Sequence, residues 1–566
     1  MKAMIARERH YSTAARAPVA DLTPGFAPTT LVPAMKIVVA DRISERGLGL
    51  LGEPGWQVVQ PAKGSLEAEL AAADALIVRS ATRVTSELLE RAPRLRVVGR
   101  AGVGVDNIDL DAATRRGVLV MNTPGGNAVS VAEHTLALLL ALARSVPQLN
   151  AAIHAGRWEK SGAAGIELRG KTLGLLGLGR VGSEVARRAR AFELRVLAHD
   201  PYISESVAAE TGVELVPLAE LLARSDFLSL HAALSSATER VINAASLGQM
   251  KRGARLINTA RGELVDEAAL AEALRSGHLA GAALDVFAAE PPRDSPLVGS
   301  PNLIATPHVA GSTEEAQEEV GTQIAQQVRD FLAEGILRNA VNLPTLSAEQ
   351  YRRLRPYLEL AQRLGSLVAQ VAPGGMATTG RIRIDYAGEP AELGTHVLRN
   401  AVLAGVLNTV LDEKVNLVNA GAVAAARGLS VEEHTRRREQ GFPDTLEVCA
   451  VAAPGGEGRG FGAEGTVLHG TSPRILSLDG IALEAPLEGT LLFIRNRDVP
   501  GVIGQVGTIL GSRGINIATF DLGRREAARG AEAIALVRLD GDVPDSILLP
   551  LRGIAAVTEA RLVRLP

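Results

Sequence analysis

The segment that decides the fold is Leu173-Gly174-Leu175-Leu176-Gly177-Leu178-Gly179-Arg180-Val181-Gly182, where an apolar strand leads into an Ala-rich helix. Gly177 allows a tight turn, Gly179 lets a pyrophosphate approach the backbone, and Gly182 permits close packing of helix against strand. The free N–H groups at the start of that helix add a positive potential. This pattern indicates a dinucleotide-binding βαβ unit, although such a motif alone is also compatible with a glycine-rich turn.

A second strand supports the dinucleotide interpretation. Residues Leu194–Ala198 form an apolar run that ends near Asp200, 18 residues beyond Gly182. A carboxylate at this position can accept hydrogen bonds from both ribose hydroxyls of NAD and would repel the 2′-phosphate of NADP. The sequence therefore predicts NAD as the cofactor.

Composition excludes several other classes of protein. The 566 residues suggest several domains, and 60 Lys and Arg against 63 Asp and Glu leave no basic excess for a general nucleic-acid binder. The longest apolar run, Leu136 to Ala143, is far too short to cross a membrane. Cys449 is the single cysteine, which excludes an intramolecular disulfide and a cysteine-based zinc site and suits a reducing compartment. We therefore predict a cytoplasmic protein with no metal, nucleic-acid or membrane partner.

Polar residues follow three further predicted strands. Thr259, Ala260 and Arg261 come after Arg255–Asn258, and Asp285 and Glu290 follow the next strand. The third strand leads into Thr306-Pro307-His308-Val309-Ala310-Gly311-Ser312. Ligands of open α/β sheets bind beyond the carboxyl ends of the strands, so these side chains are predicted to share one site.

With the glycine segment, INTARG at 257–262 and TPHVAGST at 306–313, the chain resembles the D-isomer-specific 2-hydroxyacid dehydrogenases. The resemblance implies a Rossmann-type NAD-binding domain beside a flavodoxin-like substrate domain, with Arg261, Glu290 and His308 as the catalytic residues. His308 suits a proton acceptor, Glu290 would fix its tautomer, and Arg261 offers a planar fork for the substrate carboxylate. Beyond Gly177, Gly179, Gly182 and Asp200, the cofactor contacts implied are Val103, Arg180, Val181, Thr259, Ala260, Arg261, Asp285, His308, Ala310 and Gly311.

The loops after two earlier strands are the candidate substrate pocket. In similar dehydrogenases the positions of Arg79, Ser80, Arg100 and Asn107 hold the substrate. Two arginines in addition to Arg261 suit a dianionic phosphate and a carboxylate. The alternative is that Arg79 and Arg100 are surface charges at strand ends.

The C-terminal part predicts a regulatory module. From about Gly489 the pattern reads βαββαβ, a ferredoxin-like unit, and Arg497-Asp498-Val499-Pro500-Gly501 resembles the ACT domain, which binds amino acids. The resemblance implies that Asp498 accepts an ammonium group and that Asn516 completes the site across a dimer. Asn496 is a further candidate, at a position that varies in the family. The alternative is a plain ferredoxin-like domain used only for association.

The predicted domains follow from these assignments. They are a disordered extension (1–34, with a transit peptide or an early start codon as alternatives), a substrate-binding domain (35–130 and 313–341), an NAD-binding domain (131–312), an α+β intervening domain (342–488) and the ACT domain (489–566).

The resemblance is strongest to the long, regulated members of the family. It implies NAD-dependent oxidation of 3-phosphoglycerate in serine synthesis, L-serine as effector, a homodimer or homotetramer, and reduction of 2-oxoglutarate as a side activity. Two alternatives remain open at this point. One is a dehydrogenase for glyoxylate, hydroxypyruvate or 2-oxoglutarate, and the other is a dinucleotide-sensing binding protein such as the corepressors that share the fold.

Overall fold

The computed structural model describes the chain except for residues 1–34, 159, 161–163, 345, 347, 374–378, 413, 438–441, 453–459 and 529. The predicted N-terminal extension therefore lies outside the described residues. The described residues form four β-sheets, which follow one another along the chain.

The first sheet has five parallel strands in the order β2-β1-β3-β4-β5. This 2-1-3-4-5 order is that of flavodoxin, as predicted. Its strands are short and apolar and are buried from both faces except at β2, as expected for parallel strands covered by helices. The elements are β1 (Lys36–Val39), α1 (Glu45–Leu50), β2 (Gln57–Val59), α2 (Leu66–Leu70), β3 (Ala75–Val78), α3 (Ser86–Glu90), β4 (Val97–Arg100), α4 (Leu110–Arg115) and β5 (Leu119–Met121).

The second sheet has seven parallel strands in the order β12-β11-β10-β9-β6-β7-β8. Its central part has the strand order of a Rossmann fold, which confirms the predicted class. The elements are α5 (Ala128–Arg144), α6 (Val146–His154), β6 (Thr172–Leu176), α7 (Arg180–Ala191), β7 (Arg195–His199), α8 (Glu205–Glu210), β8 (Glu214–Leu215), α9 (Leu218–Arg224), β9 (Phe227–Leu230), α10 (Ala244–Gln249), β10 (Arg255–Asn258), α11 (Glu267–Arg275), β11 (Gly281–Leu284) and β12 (Leu303–Ala305).

Helix α12 (Glu314–Glu334) returns the chain to the first sheet. Its apolar face, including Ile324 and Val328, is buried in the same core as strands β1 and β3–β5. Thr313 caps the helix by accepting a hydrogen bond from the backbone of Ala316. The chain thus crosses between the two sheets twice, and the cleft between them lies at these crossings.

The third sheet is mixed, in the order β14-β13-β15-β16-β17-β18, and α13 packs against α15 and against the sheet. An apolar face of α13, which includes Leu360, Leu364 and Leu367, lies in the core. These elements confirm the predicted α+β class. They are α13 (Ala348–Val371), β13 (Thr379–Ala387), α14 (Glu389–Leu393), α15 (Thr395–Leu407), α16 (Ala420–Ala426), β14 (Ser430–Arg436), β15 (Thr445–Ala452), β16 (Phe461–Leu468), β17 (Ser472–Leu478) and β18 (Ile481–Pro486).

The fourth sheet is antiparallel, in the order β20-β21-β19-β22. Its βαββαβ connectivity is the ferredoxin-like arrangement predicted from the sequence. The elements are β19 (Thr490–Arg497), α17 (Val502–Gly511), β20 (Ile517–Arg524), β21 (Glu532–Leu539), α18 (Leu548–Arg552) and β22 (Val557–Arg564).

Among the described residues no single helix has the length and apolar composition needed to cross a membrane. Helices α5 and α6 reach that length and composition only as a pair, and the pair is bent by 66°.

Candidate active site

The largest group of predicted site residues lines one cavity of about 430 Å³ between the first two sheets. The loops around it follow the carboxyl ends of parallel strands of both sheets, where ligands of α/β folds bind. The structure brings these predicted cofactor residues to its wall: Val103, Arg180, Val181, Thr259, Ala260, Arg261, Asp285, His308, Ala310 and Gly311.

The glycine segment forms the predicted turn between β6 and α7. Gly177 has φ 97°, a conformation that favours glycine, and a Cβ on Gly182 would lie 2.3 Å from the Gly177 carbonyl oxygen. A Cβ on Gly179, in contrast, would meet no atom within 4 Å. Two glycines therefore shape the turn, and Gly179 leaves open space at the start of α7. This geometry fits a pyrophosphate at a helix N-terminus.

Asp200 lies at the end of β7 and is tied to the glycine turn. Its Oδ2 accepts a hydrogen bond from the backbone N–H of Leu178 at 2.8 Å, and Oδ1 accepts one from Tyr202 N–H at 2.9 Å. The carboxylate thus faces the turn on which the cofactor phosphates are expected. The position is the one that accepts ribose hydroxyls in this fold.

Asp285 is a fully buried carboxylate beneath the cavity. Its Oδ1 accepts hydrogen bonds from Thr306 Oγ1 at 2.5 Å and Val309 N–H at 2.9 Å, and Oδ2 accepts one from Ala310 N–H at 2.8 Å. Burial raises its pKa, but hydrogen bonds from His134, Thr306 and these two amides outweigh it and lower the pKa overall. Asp285 is therefore ionised, and it holds the loop that carries His308.

The predicted acid–base pair is formed. His308 Nδ1 lies 2.8 Å from Glu290 Oε2, and Glu290 Oε1 accepts a hydrogen bond from Phe287 N–H at 3.2 Å. With a carboxylate as acceptor, Nδ1 is the donor in this bond, which leaves Nε2 as the ring nitrogen that can accept a proton. His308 has φ 53°, and its N–H is bonded to the carbonyl oxygen of Asp285 at 2.8 Å. The local backbone thus fixes the position of the imidazole.

Arg261 follows β10 and reaches across the cleft to the first sheet. Its Nε donates to Asp106 Oδ2 at 3.1 Å, and its Nη1 donates to the carbonyl oxygen of Ala260 at 2.7 Å. The Arg261 side chain is 28% exposed and that of Asp106 is 65% exposed. The guanidinium is therefore held at the cavity by an exposed carboxylate that an incoming carboxylate can replace.

The predicted substrate loops contribute further positive charge. Burial, followed by the positive charge of Arg261, lowers the pKa of Arg100 to about 10, with Arg79 adding to the effect and Asp106 opposing it. Arg100 still carries its charge at neutral pH. Arg79, Arg100 and Arg261 are therefore close enough to interact electrostatically. Of the three, Arg261 lines the 430 Å³ cavity, whereas Arg79 lines a separate cavity of about 310 Å³.

The other two predicted substrate residues are Asn107, which is hydrogen-bonded to a neighbouring loop, and Ser80, which is exposed. Asn107 Nδ2 donates to the carbonyl oxygens of Arg79 at 2.7 Å and Thr82 at 2.6 Å, so its amide ties two loops of the first sheet together. Ser80 is exposed beside Arg79.

Sequence reasoning missed His231, which also lines the cavity. Its Nε2 lies 2.9 Å from Ser229 Oγ, and burial lowers its pKa to about 4, so the ring is neutral at physiological pH. His231 directly follows the buried strand β9, which is the same signal that singled out Arg261 and His308. Asp106 and Asn127 were missed as lining residues as well.

A second cavity, also about 430 Å³, lies in the fourth sheet and is lined by Asn496 and Asp498. Asp498 Oδ2 forms an ion pair with Arg524 Nε at 3.0 Å. Asn516 is not brought to this cavity within one chain, because its Nδ2 donates to Asp540 Oδ2 at 2.6 Å. Its predicted role across a dimer stays a prediction.

Several known proteins are similar to this chain in sequence. The chain is 41% identical to a D-3-phosphoglycerate dehydrogenase of Bacillus subtilis (strain 168) over 533 residues, which are 94% of this chain and 100% of that protein. The chain belongs to the D-3-phosphoglycerate dehydrogenase family. A second member, from Methanocaldococcus jannaschii, is 40% identical over 94% of this chain and 100% of its own length.

Models of three domains match successive parts of the chain. Residues 136–310 match the NAD-binding domain of D-isomer specific 2-hydroxyacid dehydrogenases, 353–479 match the D-3-phosphoglycerate dehydrogenase intervening domain, and 490–555 match the ACT domain. The TT0316 protein of Thermus thermophilus, a solved structure, is 38% identical and has a TM-score of 0.50, covering 54% of this chain and 100% of its own.

As a member of this family, the chain is an NAD-dependent oxidoreductase. The open space at Gly179, the carboxylate of Asp200 and the cavity above Asp285 fit NAD. Within the described part of the chain, no group of three or more His, Cys, Asp or Glu side chains could hold a metal ion.

Proposed function

We propose that the chain oxidises the C2 hydroxyl of 3-phospho-D-glycerate to the ketone of 3-phosphohydroxypyruvate while NAD is reduced to NADH, as the first step of L-serine synthesis. The observation that carries this proposal is one cavity whose wall holds both Arg261 and His308, which is paired with Glu290, while Arg100 lies close enough to Arg79 and Arg261 to interact with them electrostatically. A base, a carboxylate fork and additional cations are what a phosphorylated 2-hydroxy acid requires.

His308 takes the proton in this account. Its Nε2 lone pair accepts the hydrogen of the C2 hydroxyl, while Nδ1 stays bonded to Glu290. Glu290 stabilises the imidazolium that results, because a nearby negative charge favours the charged ring. Bound NAD supplies the hydride acceptor that completes the oxidation.

The arginines bind and orient the substrate. Arg261 exchanges the Asp106 carboxylate for that of the substrate, since its planar fork suits two-point binding of a carboxylate. Arg79 and Arg100 take the phosphate, and Asn107 fixes the loop of Arg79 by donating a hydrogen bond to the Arg79 carbonyl oxygen. We propose 2-oxoglutarate as a side substrate of the reverse reaction, because its second carboxylate can occupy the same arginines.

A comparison of two substrates tests the proposal. The Arg100→Ala variant should lose roughly 10- to 100-fold in kcat/KM for 3-phosphoglycerate, the value of one charge-assisted contact, and much less for D-glycerate, which has no phosphate. Arg83→Ala is the control, because Arg83 is an exposed arginine of the loop that carries Arg79 and forms no ion pair with any described residue. Equal losses for both substrates would contradict a phosphate role for Arg100.

The cavity of the fourth sheet is proposed to bind L-serine as a feedback effector. Asp498 would exchange its partner Arg524 for the ammonium group of the ligand. We also propose a homo-oligomer, a dimer or tetramer, in which Asn516 of a second copy completes the effector site, since Asn516 does not line this cavity within one chain. A cytoplasmic location is proposed from the single cysteine, which suits a reducing compartment.

A further inference from the structure

A cavity of about 540 Å³ lies between the first sheet and residues 414–418 of the intervening domain. Two of its lining residues, Asp74 and Arg96, directly precede strands β3 and β4. Arg79 follows the carboxyl end of β3, and Arg100 is the last residue of β4. The cavity is therefore at the opposite edge of the sheet from the candidate active site.

Positive charge dominates the wall of this cavity, which has four cationic side chains and one carboxylate: Arg94, Arg96, Arg116, Lys414 and Asp74. The positive charge of Arg94 is balanced by Asp74, because Arg94 Nη2 lies 3.1 Å from Asp74 Oδ1. The Arg96 guanidinium lies 5.4 Å from the centre of the Phe331 ring. Arg116 and Lys414 form no ion pair with any described residue. Three cationic groups therefore face the cavity without a carboxylate.

Hydrogen bonds hold the two walls of the cavity together. Asn416 Nδ2 donates to the carbonyl oxygen of Gly117 at 2.8 Å, and Asn419 Nδ2 lies 3.5 Å from that of Arg115. Asn416 Oδ1 also accepts from Val418 N–H at 2.9 Å. The segment that carries Lys414 is thus fixed against the loop that carries Arg116. Pre-organised cations lose less entropy when they bind a ligand.

We propose that this cavity binds a small oxyanion carrying at least two negative charges. Phosphate esters and polycarboxylates share this chemistry, and guanidinium forks match the oxygens of both. A bound anion would relieve the repulsion among Arg96, Arg116 and Lys414. Because it contacts both walls, it would also stabilise the contact between the intervening domain and the substrate-binding sheet.

Calorimetric titration of the full chain tests this site with inorganic phosphate and, separately, citrate. The Arg100→Ala background lowers phosphate binding at the active site. In that background we expect Arg116→Ala and Lys414→Ala each to weaken binding at least about fivefold, as the loss of a charge-assisted contact implies. Arg115→Ala is the matched control and should change affinity less than about twofold, because Arg115 is equally exposed but does not line the cavity.

The outcomes show which class of anion the cavity prefers, and they include results that would overturn the proposal. Tighter binding of phosphate points to a phosphate ester, and tighter binding of citrate points to a polycarboxylate. Unchanged affinity in both cavity variants, no binding at all, or equal competition by NaCl at matched ionic strength would overturn the site. All three substituted residues are exposed, and a rise in Tm with phosphate that is absent in both cavity variants provides a second readout.

Discussion

Arg261 Nε donates a hydrogen bond to Asp106 Oδ2 at 3.1 Å, although the two residues are 155 positions apart in the sequence. The bond joins the loops of two different sheets across the mouth of the cleft. It places a carboxylate of the chain itself on the arginine that is proposed to receive the substrate carboxylate. The Asp106 carboxylate would therefore compete with the substrate carboxylate for the Arg261 guanidinium.

The first prediction concerns this competition. Asp106→Asn should lower KM for 3-phosphoglycerate about two- to fivefold, the value of an exposed ion pair. The physical reason is that the amide cannot hold Arg261 as the carboxylate does and no longer offsets the positive charge of Arg100. Steady-state kinetics with saturating NAD measure the change. A raised KM would mean that Asp106 positions Arg261 for the substrate and does not compete with it.

Cofactor choice gives the second prediction. Asp200→Asn should reduce the preference for NAD over NADP at least about tenfold, because one like-charge contact with the 2′-phosphate disappears. The Asn oxygen can still accept the Leu178 N–H bond, so the glycine turn should keep its shape. Asp200→Ala removes both the negative charge and the hydrogen bond from Leu178. Comparing KM for NAD in the two variants therefore separates the effect of the charge from that of the hydrogen bond. If the wild type already uses NADP as well as NAD, this role of Asp200 is wrong.

The local parts of the site could be predicted from sequence, since a strand followed by polar residues identifies a sheet edge. The Gly177–Gly182 turn and the His308–Glu290 pair are of this kind, and both are formed. The Asp106–Arg261 bond could not be predicted, because no local pattern tells which loops of two sheets will face each other. Asp285 lines the cavity, and its contact with the cofactor stays a prediction. The bonds that its oxygens accept from Thr306 and the loop amides could not be predicted, because they depend on the detailed conformation of the loop.

The exact ends of the strands could not be predicted from the sequence either. The apolar run Leu95-Arg96-Val97-Val98-Gly99 by itself predicts a strand over these five residues, whereas β4 runs from Val97 to Arg100. Leu95 is buried in the core without belonging to the strand. Apolar residues just before a strand satisfy the same pattern as the strand itself, so burial alone does not fix where the backbone pairing begins.

The third prediction concerns the proposed effector site. Asp498→Ala should turn over 3-phosphoglycerate normally and need at least about tenfold more L-serine for half-inhibition, because the ammonium group loses its carboxylate partner. Asp542→Ala, an exposed aspartate of the same domain that does not line the cavity, is the control. Unchanged serine sensitivity of Asp498→Ala would place the effector elsewhere. If the wild type neither binds nor responds to serine, the domain serves only assembly.

The fourth prediction follows from the lowered pKa of His231. Folding keeps this ring neutral down to about pH 4, whereas the unfolded chain protonates it near pH 6.5. The unfolded state therefore binds more protons between these values, and stability falls as the pH falls through this window. At pH 5 this effect lowers the free energy of unfolding by about 2 kcal/mol relative to neutral pH.

Urea unfolding followed at neutral pH and at about pH 5 measures this contribution. The His231→Gln variant should lose less of its unfolding midpoint on acidification than the wild type, since glutamine does not titrate. An equal loss in both proteins would show that His231 is protonated in the folded state at that pH.

The central claim is that His308 accepts the proton of a phosphorylated 2-hydroxy acid in this cleft. The most direct measurement is NADH formation from 3-phosphoglycerate by wild type and by His308→Ala, together with the NAD affinity of both. We expect the wild type to be active and the variant to lose about 10²- to 10⁴-fold in kcat while binding NAD within a few-fold of the wild type. Near-normal turnover in the purified variant, or no NADH formation by the wild type, would contradict it.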